Sequence, residues 1–191
     1  MILSHETKLK YLKKILEQNE LKSSILTGSI NQGNASYKSN QNNLVFFRAV
    51  KKITDIQYPE GISVILFFDS NILYNKSYWV STVNSVRPSN WNSKTKITWK
   101  NNWENDPQYS IKYKQYYKNT KRVLKKLYLH SVSAGCICNT VAVLNKINIK
   151  NHLIAVVIFP GIKESKKTSF KKYIKKYYPH TTVYTDYWPK P

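Results

Sequence analysis

Leu153–Ile154–Ala155–Val156–Val157–Ile158–Phe159, then Pro160–Gly161, then Glu164–Ser165–Lys166–Lys167–Thr168–Ser169–Phe170–Lys171–Lys172–Tyr173–Ile174–Lys175–Lys176–Tyr177, then Thr181–Thr182–Val183–Tyr184–Thr185 is the stretch that fixes the fold class. Its first run is continuously apolar and rich in β-branched residues, as a strand buried on both faces requires. Pro160 and Gly161 break that run. Across 164–177 the apolar side chains Phe170, Tyr173, Ile174 and Tyr177 recur at helical spacing with lysines opposite, and Pro179 stops the pattern. Thr181–Thr185 then reads as a second strand. A strand, a crossover helix and a strand in this order make a right-handed parallel unit.

Upstream, Lys121–Lys146 is the longest helical pattern, with Leu124, Leu127, Val132, Cys136, Val143 and Leu144, and Ile147 just beyond, on a broad apolar face. Before it, Ile62–Phe68 reads as a buried strand, and Tyr78–Val83 and Lys94–Lys100 as the next strands, with Pro88 and Asn90 in the connection. Asn101–Thr120 is polar, aromatic and basic, and is expected to be an insertion. The order of three strands, helix, strand, helix and strand implies an α/β sandwich, and it resembles that of an RNase H-like three-layer sandwich with a mixed sheet. Further upstream, residues 4–21 read as an amphipathic helix capped by Ser4, with Leu9, Leu12, Ile15 and Leu16 on its apolar side. Thr27–Asn43 is a polar linker, and Leu44–Val50 a short strand or helical turn. The expected division is an N-terminal extension of helix and linker over 1–58 and an α/β domain over 59–191.

Charge points to the partner. Lys+Arg number 31 against 10 Asp+Glu, a formal net charge of +21. Such an excess favours a polyanion, and lysine–phosphate contacts release counterions. The 15 Tyr and 5 Trp are interleaved with lysines, as in Lys112–Tyr113–Lys114–Gln115–Tyr116–Tyr117–Lys118. Flat rings stack on unpaired bases while neighbouring ammoniums meet phosphates; Trp91, Trp99 and Trp103 suit either this or anchoring against protein. Arg occurs only at Arg48, Arg87 and Arg122, a codon bias that accounts for part of the lysine but not for the scarcity of acids.

Asn148–Ile149–Lys150–Asn151, the loop Phe159–Pro160–Gly161–Ile162–Lys163–Glu164–Ser165, and Tyr184–Thr185–Asp186–Tyr187–Trp188–Pro189–Lys190–Pro191 together resemble small-subunit ribosomal protein eleven. That family has a Gly-Ile-Lys approach to the strand, a Gly-Pro-Gly-x-Gly-Arg-Glu-Ser loop, a helix, and Asp-x-Thr-Pro-x-Pro. The likeness is specific over about 45 residues and topological over roughly 85 more. It departs at two loop glycines, at Asp69–Ser70–Asn71 in place of Asn-Asn-Thr, and in lacking a basic tail after Pro191. The resemblance implies a structural constituent of a mitochondrial small ribosomal subunit, with a plastid as the second choice of compartment. It implies no enzymatic activity, cofactor or metal. The partners would be small-subunit rRNA, neighbouring platform proteins and mRNA near the exit side, with no membrane. The residues expected to touch RNA are Asn71, Lys76, Arg87, Lys94, Lys96, Lys100, Lys121, Arg122, Lys125, Gly161, Lys163, Ser165, Lys166, Lys167 and Lys190. A helix N-terminus with free backbone N–H groups beside Lys163, Lys166 and Lys167 is a natural phosphate seat; Glu164 and Ser165 would cap that helix.

The main rival is a metal-dependent nuclease or transposase, RNase H-like or PIN-like, with Asp69, Glu104, Glu164 and Asp186 as ligands. A charged effector acting on anionic membranes is another. Cys136 and Cys138 lack a second Cys or His pair for zinc and read as small buried hydrophobes. His5, His130, His152 and His180 are scattered without a nucleophile motif, and no Walker loop or dinucleotide fingerprint occurs. No apolar run is long enough for a membrane span, and the first residues, with Glu6, Glu17 and Glu20, do not read as a transit peptide.

Overall fold

In a computed structural model, residues 2–28, 44–50, 52–53, 63–74, 76, 78–81, 110–113 and 140–185 are described. The chain divides into two compact units: one takes residues 1–20, 50–72 and 148–191, the other 21–49 and 73–147.

The first unit is a mixed sheet backed by helices. Its strands are β1 (Ile2–Thr7), β4 (Val64–Asp69), β9 (Leu153–Ile158) and β10 (Thr182–Tyr184), in the order β10-β9-β4-β1. β10 lies parallel to β9, with Thr182 opposite Ala155. The helix between them is α3 (Glu164–Tyr177), so the β9–α3–β10 parallel unit is present as expected. β4 runs antiparallel to both neighbours, pairing Val64 with Ile158 and with Thr7. Val64–Phe68 is buried throughout, as a strand flanked on both edges and covered on both faces must be. On one face Ile65, Phe67, Ala155 and Val157 pack with Val50 and Phe159.

The N-terminal reading needs correction. Ile2–Thr7 is a strand, and the helix α1 starts only at Leu9 and ends at Gln18. Ser4 is buried in β1, and the N-cap position of α1 is Lys8. Residues expected to form an extension instead make a ladder with β4, Leu3 facing Phe68 and His5 facing Leu66. Asn19 closes α1 in the left-handed conformation, φ 53°, which Asn tolerates better than most residues. Its carbonyl accepts from Ile149 N–H (2.9 Å), and its side chain accepts from the Tyr178 hydroxyl (2.6 Å). The same hydroxyl lies 2.8 Å from Leu16 O, so the C-terminal ends of α1 and α3 meet at Tyr178. Leu12, Leu16 and Ile174 are the buried side chains of the two helices, with Lys167.

The second unit has the strand order β3-β7-β5-β6, from β3 (Leu44–Val50), β5 (Tyr78–Ser81), β6 (Ser110–Tyr113) and β7 (Thr140–Leu144). The pairings β3–β7, β7–β5 and β5–β6 are all antiparallel. Two expectations fail here. Thr140–Leu144 is a strand rather than the end of a helix, and Ser110–Tyr113, assigned to an insertion, is a ladder partner of β5. Short strands β2 (Glu20–Lys22) and β8 (Lys146–Asn148) pair separately, and α2 (Ser24–Thr27) follows β2. The expected strand at Lys94–Lys100 and the helical pattern over 121–139 lie outside the described residues. The α/β class and a mixed sheet are thus observed.

Candidate functional site

Polar side chains of the first unit gather at the two ends of β4. At its C-terminal end, Asp69 Oδ2 lies 3.1 Å from His152 Nδ1, and Asp69 Oδ1 accepts from Asn71 N–H at 2.8 Å. The backbone reinforces the pair, because Asp69 N–H donates to His152 O at 3.0 Å. Asn71 thus anchors the start of a 3-10 turn, Ser70–Leu73, rather than facing out for RNA with its backbone. Both partners remain about one-third exposed, at 33% and 31% of the side chain. A carboxylate on Nδ1 selects the tautomer that presents Nε2 as an acceptor. Geometry of this kind can orient an imidazole for proton transfer. Sequence reasoning did not join the two residues because 83 positions separate them.

At the opposite end, Phe159 N–H donates to Ser63 O (3.0 Å), after which the chain turns through Gly161. Gly161 has φ +90°, a backbone that a side chain would strain, and nothing lies within 4 Å of the place a Cβ would occupy. α3 begins with Lys163 as N-cap and no side-chain cap, so Glu164 and Ser165 do not cap it as expected. Lys166 and Lys167 N–H groups bond back to Lys163 O. Glu164, in the first turn, suits the positive end of the helix dipole. It pairs with Lys167 Nζ at 3.2 Å.

Of the residues expected to bind RNA, Asn71, Lys76, Gly161, Lys163, Ser165 and Lys166 are exposed. Lys167 is not: it is 6% exposed and turned inward. It lies seven residues before Ile174, on the helix face that meets the sheet. A mobile surface charge there is therefore ruled out. Arg87, Lys94, Lys96, Lys100, Lys121, Arg122, Lys125 and Lys190 lie outside the described residues, as do Cys136, Cys138, Trp91, Trp99, Trp103, Glu104 and Asp186.

The metal-nuclease reading finds no support: Glu104 and Asp186 lie outside the described residues, and the Asp69 carboxylate is engaged by His152 and by Asn71 N–H. Among the described residues no group of three or more His, Cys, Asp or Glu side chains could hold a metal. No helix among them is long and apolar enough to cross a membrane.

No protein family and no curated protein matches the chain. Solved structures do. DarT from Thermus sp. 2.9 in complex with ADP-ribosylated ssDNA superposes with a TM-score of 0.55 at 10% identity, covering 96% of this chain and 92% of that one. The same protein in complex with carba-NAD+ superposes with a TM-score of 0.51 at 9% identity, covering 96% and 95%. These neighbours overturn the ribosomal reading and the non-catalytic role that came with it. The β9–α3–β10 unit that suggested a ribosomal protein belongs here to a fold shared with a protein that holds an NAD+ analogue and a modified DNA strand.

Proposed function

We propose that this chain transfers ADP-ribose from NAD+ to a single-stranded nucleic acid. The observation that carries the reading is the likeness to DarT across nearly the whole of both chains, 96% of this one and 92% of the other. The charge supports it: a chain with 31 Lys+Arg and 10 Asp+Glu is suited to a polyanionic acceptor. The loop before α3 offers one uncapped helix N-terminus, and Asp69 closes onto His152 and Asn71.

The test is direct. Purified protein is incubated with NAD+ and single-stranded DNA or RNA oligonucleotides of mixed sequence, and the products are weighed by mass spectrometry. The expected product is an oligonucleotide heavier by one ADP-ribosyl group, with nicotinamide released in equal amount. Nicotinamide release without a modified strand would redirect the reading to NAD+ hydrolysis, and intact NAD+ with every strand would reject it.

A further inference from the structure

We infer that the solvent face of α1 and α3 is a docking surface for the sugar–phosphate backbone of a nucleic-acid strand. That this strand is the one modified rests on the reading above; that the partner is a nucleic acid rests on the surface itself.

Both helices belong to the first unit and are tied together at Tyr178, which bonds Leu16 O and Asn19 Oδ1. Their inward positions are Leu12, Leu16 and Ile174. Outward, Lys10 and Lys14 stand one turn apart on α1, and Lys171, Lys172, Lys175 and Lys176 form a double row on α3. All six are exposed, and among the described residues none has a carboxylate partner. The carboxylates that these helices carry are engaged elsewhere, Glu17 with Lys13 (3.6 Å) and Glu164 with Lys167 (3.2 Å). The like charges are thus left uncompensated along the outer side of each helix, an arrangement that costs stability unless a polyanion lies on it.

Exposed tyrosines beside these lysines favour a nucleic acid over a lipid surface. Tyr11 is 40% and Tyr177 52% exposed. Lys10 Nζ sits 4.9 Å from the first ring centroid and Lys176 Nζ 5.0 Å from the second. Phosphate-seeking ammoniums beside flat rings are what a strand with unstacked bases requires. A membrane-binding helix needs instead a row of large aliphatic or Trp side chains to enter the acyl region, and on α1 and α3 the exposed large hydrophobics are tyrosines.

The experiment uses the full chain without NAD+. Binding of a fluorescent single-stranded oligonucleotide is followed by anisotropy at several salt concentrations, for the native protein and for K171Q/K172Q/K175Q/K176Q. The variant should bind about tenfold more weakly at low salt, with a slope shallower by roughly 0.7 for each phosphate that it no longer neutralises, and melt at the native temperature. K10Q/K14Q, on the other helix, should move slope and affinity in the same direction. Native-like slope and affinity in both variants would overturn the inference. So would weakened binding of the variants to phosphatidylserine vesicles with oligonucleotide binding intact, which would assign the face to lipid. Because NAD+ is absent, a chain that binds as expected yet modifies no strand defeats the transfer reading and leaves this surface standing. Transfer that proceeds while both variants bind as the native protein does the reverse.

Discussion

Tyr178 is 4% exposed, and burial pushes its hydroxyl up from the ordinary 10.0 to about 12, with the neighbouring Tyr173 adding to the effect. The consequence for stability has a definite sign. Below pH 10 the hydroxyl is protonated in both states, and its contribution is complete. Between pH 10 and 12 the unfolded chain releases the proton first, so stability falls as pH rises, by on the order of 3 kcal/mol. Tyr178→Phe should cost about 1–2 kcal/mol at neutral pH, since Asn19 Oδ1 would lose its hydroxyl donor and Leu16 O would keep only the 3.3 Å bond from Asn19 N–H. Its urea midpoint should also decline less steeply than the native one between pH 10 and 12. Equal alkaline slopes for the two proteins would contradict this assignment. Lys167 offers a second residue-scale test. Lys167→Glu would bury a carboxylate beside Glu164 and should cost about 3 kcal/mol or more in a denaturant titration. Lys166→Glu, one position along and exposed, should cost far less.

At the scale of elements, β1 is the informative one. Leu3 is fully buried and β1 forms one edge of the β4 ladder, so deleting residues 1–7 should expose that edge and abolish the cooperative unfolding transition. A truncated protein with native circular dichroism and a sharp thermal transition would show β1 to be dispensable. What the sequence discloses about elements follows from the range of their interactions. α3 is legible because Phe170, Ile174 and the intervening lysines repeat at 3.6 residues, and β4 and β9 because their apolar runs are short and bounded by breakers. β1 merges into the helix that follows it, since the strong spacing of Leu9, Leu12 and Leu16 invites extension backwards over Ile2–Thr7. Val143, Leu144 and Ile147 fit a helix stripe as well as they fit two short strands, and the ladder with β3 that decides for strands lies far away in sequence. Lys167 could have been placed correctly, because it shares the inward spacing of Phe170 and Ile174. The Asp69–His152 pair could not, as no local pattern joins β4 to β9.

For the whole molecule, a parallel strand–helix–strand is common to many folds, and function cannot be read from it. The antiparallel β1–β4–β9 arrangement is non-local throughout. A donor that binds only the folded state must stabilise it, so NAD+ at a hundred times its Kd should add about 2.7 kcal/mol. A rise in the melting temperature that saturates with NAD+ is the expected outcome, and an unchanged melting curve at millimolar NAD+ would argue against a donor site.

The composition of the first unit also sets an order of events during synthesis. Residues 2–18 and 148–185 lie in the same unit, so β1 leaves the ribosome long before β9 exists to complete the ladder around β4. A nascent chain stalled near residue 140 would hold β4 with one edge bare and apolar on both faces, a target for chaperones and for self-association. Emergence of β9 and the residues that follow it, rather than of any early helix, is then the step that commits this unit to its native form.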